Sequence, residues 1–226
     1  MQQSENKIFL SYTLSNETPL YGNEGTIKFT KDRSISKGDS CNTMHWYLPN
    51  HSGTHIDAPK HFDPNGKSIS DYSPDFWIFN KIEMIDISNR IEDCLLIDNA
   101  IFPKFKIADP ELLLIKTGCG KHRGTEKYIF QSPGISEKVA FWLRKFYPTI
   151  RSIGVDLISV SSCYHKIEGR KTHHAFLNPE SGSPILIIED VKLDAVKRLE
   201  KVIVIPFRVN GADGAPCTII GFSENI

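Results

Sequence analysis

A disulfide framework, a zinc knuckle and a redox dithiol are all missing from this chain. Its five cysteines, Cys41, Cys94, Cys119, Cys163 and Cys217, are odd in number, scattered and never spaced C-x-x-C. They read as reduced, mostly buried thiols. Long apolar runs are missing too, since the most apolar stretches, 185–188 and 202–207, fall far short of the roughly 20 residues that cross a bilayer. Charge of one sign is missing, because 27 Lys and Arg balance 27 Asp and Glu. That balance excludes a general binder of nucleic acid or anionic membranes, which needs clustered cations to neutralise phosphate. The first ten residues carry polar side chains where a signal peptide has a continuous apolar stretch, so a cytoplasmic protein is expected. No Gly/Ser/Pro-rich linker, charge block or internal repeat divides the 226 residues, and a single domain over 1–226 is expected.

What is present is the composition of an ordinary globular chain, 40% hydrophobic and 24% charged. Short β-rich runs recur at 8–12, 26–30, 43–48, 81–87, 112–116, 153–156, 185–188, 201–207 and 218–222. One helix stands out: Ser136 caps a segment whose Val139, Trp142, Leu143 and Phe146 fall at i, i+3, i+4 and i+7. A second, shorter helix is expected at 194–200, where Ala195, Val196 and Leu199 share a face. The fold class is therefore mixed α/β and strand-rich.

The chemistry concentrates in residues 50–62, NHSGTHIDAPKHF, which place His51, His55, Asp57 and His61 within eleven residues. A helix would turn Asp57 about 200° away from His55, and Gly53 and Pro59 oppose one. All four positions are odd-numbered, so a pleated segment points them to one side. A straight strand would nevertheless hold His51 and His55 about 13 Å apart, too far for two nitrogens each ~2.1 Å from one ion. The chain must bend at Ser52-Gly53-Thr54, where Gly53 can take positive φ and the two hydroxyls can hold the bend by local hydrogen bonds. Imidazole and carboxylate donors suit Zn²⁺, with Mn²⁺, Fe²⁺ and Co²⁺ as competitors. Solvated histidines that satisfy loop hydrogen bonds are the alternative, against which clustering and shared parity weigh. His45, His122 and His165 lack ligand-spaced neighbours and read as satisfied or exposed. Cys163 is rejected as a nucleophile, and Asp213 in its Gly-rich turn reads as a turn or structural residue. Trp46, Phe62, Trp77 and Phe79 fit a pocket wall and a core equally well.

The string H-S-G-T-H-I-D-A-P-K-H-F resembles the H-x-G-T-H-x-D-x-P-x-H signature of the metal-dependent cyclase family, whose members include bacterial kynurenine formamidases. Similarity continues in Thr18-Pro19-Leu20-Tyr21, Leu114-Ile115-Lys116-Thr117-Gly118, Ile153-Gly154-Val155-Asp156 and Gly211-Ala212-Asp213-Gly214-Ala215-Pro216. The resemblance implies a swivelling β/β/α domain and a homodimer or homotetramer. It makes His51, His55 and Asp57 metal ligands, with Asp57 also touching a second ion, and His61 the proton shuttle. The second site would be completed by His173, with His174 as fallback, and by Glu189 at the end of a strand. Residues 178–183 look like an insertion of about four residues in a surface loop, where extra length is tolerated.

The cofactor so implied is two Zn²⁺ per chain, with Mn²⁺ as the alternative. Two such ions about 3.5–4 Å apart would lower the pKa of a bound water towards ~7 and stabilise the oxyanion formed on attack at an amide carbonyl. His61 would move the proton to the departing amine. The reaction implied by resemblance is N-formyl-L-kynurenine to L-kynurenine and formate, a step of tryptophan catabolism. Opening of a cyclic amide such as isatin and a natural-product cyclase are the alternatives within the family. A metal-binding protein without turnover is the alternative of another class, and His61 discriminates, because such a protein has no need of a fourth histidine beside the metal.

Overall fold

The computed structural model describes residues 6–223. Thirteen strands occur among them: β1 (Asn6–Phe9), β2 (Lys28–Lys31), β3 (Met44–Tyr47), β4 (His55–Asp57), β5 (Ile78–Phe79), β6 (Ile82–Asp86), β7 (Leu96–Ile97), β8 (Leu112–Lys116), β9 (Gly134–Ile135), β10 (Ser152–Val155), β11 (Leu186–Glu189), β12 (Lys201–Pro206) and β13 (Gly214–Ser223). The helices are α1 (Glu126–Phe130), α2 (Glu137–Phe146) and α3 (Lys166–Leu177). This is the mixed, strand-rich α/β class the composition and runs predict, and each of the nine β-rich runs has its strand.

The main sheet runs β5-β12-β13-β4-β11-β10-β8-β6, with β1 added to the free edge of β13. Strands β6, β8, β10 and β11 are parallel, whereas β4 is antiparallel to both of its neighbours, β11 and β13. The motif strand thus lies where the parallel half meets the antiparallel half. Parallel strands need cover on both faces, and the alternation of β8 supplies it. Leu113 and Ile115 face a core shared with Val139, Leu143 and Phe176 of α2 and α3, while Leu112 and Leu114 face a second core with Ile56, Val202 and Ile219. Ser136 caps α2 as its spacing implies, accepting from the Lys138 amide.

Two expectations fail here. No helix forms at 194–200. Leu193, Val196 and Leu199 are buried against the second core, but the segment is tied at its ends to strands, Lys192 N–H donating to Leu10 O and Glu200 N–H to Phe222 O. Those tethers, rather than shortness, exclude the helix, since the five residues of α1 form one behind a Thr125 cap. The cysteines are less buried than expected: Cys217 is buried, and the other four, all free thiols, are half-buried. No helix among the described residues is long and apolar enough to cross a membrane.

Candidate metal centre

Residues 51–61 form a bent ribbon rather than one pleated segment. Gly53 has φ +57, and an added Cβ there would collide with Leu14, so the bend needs glycine. The Ser52 hydroxyl donates to Pro49 O, as a local bond should. Thr54 works at long range instead, its hydroxyl donating to Asp190 O at 2.6 Å and accepting from Tyr12 N–H. Parity therefore holds only for His55 and Asp57 on β4. His51 precedes the bend, and His61 closes a 3-10 turn at Pro59–His61.

Register brings in Glu189. On β11 it sits directly opposite His55, while Asp57 faces Gly214 across β13. His173 comes from α3, a helix that the sequence reading missed. Its buried stripe is Gly169, Thr172, His173 and Phe176, helical in spacing (i, i+3, i+4, i+7) but mostly polar or glycine, so the apolar periodicity that betrays a helix is absent. His173 is 6% exposed and points into the site, whereas the fallback His174 is exposed and bonded to Asn178 Nδ2.

Each buried imidazole has one nitrogen committed to an outer acceptor. His55 Nδ1 donates to Gly53 O at 2.9 Å, and His173 Nδ1 donates to Gly169 O at 2.9 Å with Ser161 Oγ 3.2 Å away. The Nε2 atoms face the carboxylates. His55 Nε2 lies 3.5 Å from Asp57 Oδ1 and 3.3 Å from Glu189 Oε2, and His173 Nε2 lies 3.6 Å from Asp57 Oδ2 and 3.4 Å from Glu189 Oε1. Those separations exceed an ordinary N–H···O bond, but donors ~2.1 Å from a tetrahedral ion lie about 3.4 Å from one another. The two oxygens of Asp57 divide the set, Oδ1 toward His51 and His55 and Oδ2 toward His173. Outer acceptors that fix the tautomer are what metal-ligating histidines use. The donor set fits divalent metal.

The charges agree. Asp57 and Glu189 are 1% and 3% exposed, a costly pair without cations. Burial favours the neutral acids, yet bonds from His173 and His51 hold Asp57 well below the usual carboxylate range, and those from His173 and His55 bring Glu189 down to about 2. Burial likewise opposes protonation of His55 and His173, but the Glu189 and Asp57 carboxylates raise them to about 9 and about 10. Without metal, then, imidazolium ions stand in for it. The stability these two histidines give the metal-free fold is fully present below about pH 6.5 and is lost as pH rises through about 9 and 10; Glu189's share is present above about pH 4.5 and lost as pH falls towards about 2. Metal must displace the imidazolium protons. Zinc should therefore raise the melting temperature more at pH 8.5 than at pH 6, measured by thermal unfolding with and without the ion; an increment independent of pH would contradict this.

Asp213, read from sequence as a turn residue, belongs to the site. Its Oδ2 accepts from His51 Nε2 at 3.0 Å and His61 Nδ1 at 2.8 Å, and its Oδ1 from Asn50 Nδ2 at 2.7 Å. Behind Glu189, Asp190 takes φ +53 and is held by Arg123 and by Tyr128 Oη at 2.6 Å. The Asp190–Arg123 ion pair, with Tyr128 buried behind it, anchors the end of β11. Of the four aromatic candidates, Phe62 alone reaches the site, stacking on His173 at 5.1 Å. Phe79 is core, Trp77 packs on Phe76 and Tyr72, and Trp46 is 59% exposed. The cluster opens into a cavity of about 300 Å³ walled by Phe62, Tyr21, Pro19 and Ile158. Cys163 donates to Ile129 O and takes no part.

The model of the Cyclase family matches residues 8–162. The chain belongs to this family. A kynurenine formamidase of Bacillus thuringiensis subsp. konkukian (strain 97-27) is 30% identical over 210 residues, 92% of this chain and 93% of that one. Among solved structures, isatin hydrolase A from Labrenzia aggregata, bound to benzyl benzoate, superposes with a TM-score of 0.79 at 18% identity, covering 98% of this chain and 94% of that one. A Bacillus stearothermophilus protein described as a predicted metal-dependent hydrolase gives 0.74 at 20% identity, covering 97% and 98%. At such identities these two establish the shared cyclase-type fold.

Proposed function

We propose that this cyclase-family chain is a single-domain, metal-dependent hydrolase of amide bonds, an arylformamidase that converts N-formyl-L-kynurenine to L-kynurenine and formate. One observation carries the reading: three imidazoles, His51, His55 and His173, each with one nitrogen on an outer acceptor, converge on two buried carboxylates, and a fourth, His61, lies within reach of His51 and Asp57 with its Nδ1 bonded to Asp213. The kynurenine formamidase relatives and the aryl-walled cavity support the substrate class. We assign His51, His55 and Asp57 to one ion and Asp57, His173 and Glu189 to a second, with Zn²⁺ first and Mn²⁺ next by donor chemistry.

When bound, the ions supply a Lewis acid for the carbonyl oxygen and a water of lowered pKa. The protein does the rest. Phe62 and Tyr21 flank the aryl ring and narrow the cavity around the formamide. His61 donates from Nδ1 to Asp213, so its Nε2 carries the lone pair. That nitrogen takes a proton as water adds to the formyl carbon and returns it to the amide nitrogen as the C–N bond breaks. Water's oxygen leaves in formate and the aryl amine departs neutral.

The test is to load the purified protein with zinc or manganese and assay aryl formamides alongside isatin. His61→Ala should keep its metal and lose about 100-fold or more in kcat. Preference for isatin would move the assignment to cyclic amides, and metal binding without hydrolysis across the panel would sink the enzyme reading.

We propose a homodimer as well. The two-stranded β2-β3 hairpin exposes Met44, Trp46 and Tyr47 at 51%, 59% and 69%, next to Phe207 at 58%. An isolated hairpin is marginal, and an apolar patch of this kind marks an interface. Light scattering should give twice the chain mass; a monomer at micromolar concentration would contradict it.

A further inference from the structure

We infer that Asp213 is a positioning residue: from the turn before β13, its carboxylate sets the tautomer and aim of His61 while bracing His51, aligning the proton-transfer group with the metal centre. The inference rests on the hydrolase reading above. Three donors converge on this side chain, Asn50 Nδ2 on Oδ1 and both His51 Nε2 and His61 Nδ1 on Oδ2. Only a side chain with two acceptor oxygens satisfies all three. An ionised carboxylate donates nothing, so His61 must carry its proton on Nδ1 and His51 must carry one on Nε2.

Geometry gives these bonds a direction. The His51 and His61 rings lie 4.1 Å apart and tilted by 32°, so one oxygen can serve both. His51 Nδ1 is then the nitrogen facing Asp57, at 2.8 Å, so the ring is held between two carboxylates, with Asp213 in the place of the outer acceptor that orients a metal-ligating histidine. On the other branch, His61 is left with a bare Nε2 at the cavity. The carboxylate itself is anchored. Asp213 O accepts from Ala58 N–H at 2.8 Å, tying the turn to the residue that follows Asp57, so movement of the motif strand carries its orienting group with it.

Asparagine at 213 breaks the pattern. It offers one acceptor oxygen and adds an N–H₂, which faces either the two imidazole N–H groups or Asn50 Nδ2, whose amide can turn round only by giving up its second bond, to Gly214 O at 3.2 Å. His61 then loses its fixed tautomer. A second substitution restores the arrangement: with Asn50→Asp, the new carboxylate accepts from the amide at 213, whose oxygen can face both imidazoles again.

The experiment compares wild type, Asp213→Asn and Asn50→Asp/Asp213→Asn under saturating zinc, using an aryl formamide and the matching aryl formate ester. A phenolate leaves unprotonated whereas an arylamide anion does not, so the ester draws only on the proton-accepting half of His61's role and is spared the proton return. Asp213→Asn should lower kcat on the formamide by about 10- to 100-fold with KM little changed, lower it on the ester by much less, and weaken zinc binding by about 10-fold in chelator competition. In metal-free protein, ¹⁵N NMR of labelled histidine should show His61 as the Nδ1–H tautomer in wild type and lose that signature in Asp213→Asn. The double variant should recover formamide turnover. Equal losses on ester and amide, an unchanged His61 tautomer, or no recovery in the double variant would overturn the inference. Wild-type silence towards every formamide would instead overturn the hydrolase reading, while the tautomer still tests what Asp213 does.

Discussion

Asp57→Asn is expected to abolish metal retention and bring turnover of an aryl formamide down to the uncatalysed rate. Asp57 is the shared member of the donor set, Oδ1 lying 2.8 Å from His51 and 3.5 Å from His55 and Oδ2 lying 3.6 Å from His173. Asparagine keeps the volume but presents one neutral oxygen where two anionic ones are needed. Both assigned sites lose a ligand at once. The metal-free fold should suffer as well, because His55 and His173 are buried beside a carboxylate pair of which only Glu189 would remain. Breaking a buried ion pair by removing one partner costs about 3–5 kcal/mol. Metal analysis after dialysis, a rate assay and urea unfolding check the three parts. An Asp57→Asn protein that kept a full complement of zinc would contradict the assignment.

Gly214→Ala should be nearly as damaging, although glycine contributes no ligand. Gly214 starts β13 directly opposite Asp57, and the His51 ring comes up against it on its Cε1 side. A Cβ added there would sit 2.9 Å from His51 Nδ1 and 3.1 Å from Nε2, with Cε1 closer still. Its φ lies outside the left-handed region, so the need is for space alone. Something has to move, and the strand is fixed by its ladder to β4. His51 must swing away from both Asp57 and Asp213. A displacement of about 1 Å at a reacting centre costs ~10²-fold, and overpacking adds about 1–3 kcal/mol of destabilisation. The expected result is a folded protein with lower stability, weaker zinc binding and more than about 100-fold lower kcat/KM. Wild-type zinc affinity in Gly214→Ala would show that His51 does not sit where it is described.

The contrast between these two residues explains how far the sequence could be read. Asp57 was legible because it lies inside one short ribbon whose spacing is constrained by local geometry: Gly53 permits the bend, and two-residue spacing puts His55 and Asp57 on one face of β4. Strands such as β8 and β12 were legible for the same local reason, a run of β-branched and aliphatic residues. Gly214 and Asp213 were not, because what they touch lies more than 150 residues away, at His51, Asp57 and His61. Distances along the chain of that size leave no periodicity. His173 falls between the two cases. The family pattern pointed to it, but its helix was hidden because the face turned inward is built from Gly169, Thr172 and His173. The opposite error at 194–200 arose from an apolar spacing that the structure uses for core filling without a helix.

Crystals grown with zinc and recorded on either side of its absorption edge decide whether these side chains hold metal. Anomalous peaks are expected within about 2.0–2.3 Å of His51 Nδ1, His55 Nε2 and Asp57 Oδ1, and of His173 Nε2, Asp57 Oδ2 and Glu189. A map with no anomalous density between these side chains at saturating zinc would contradict the metal centre.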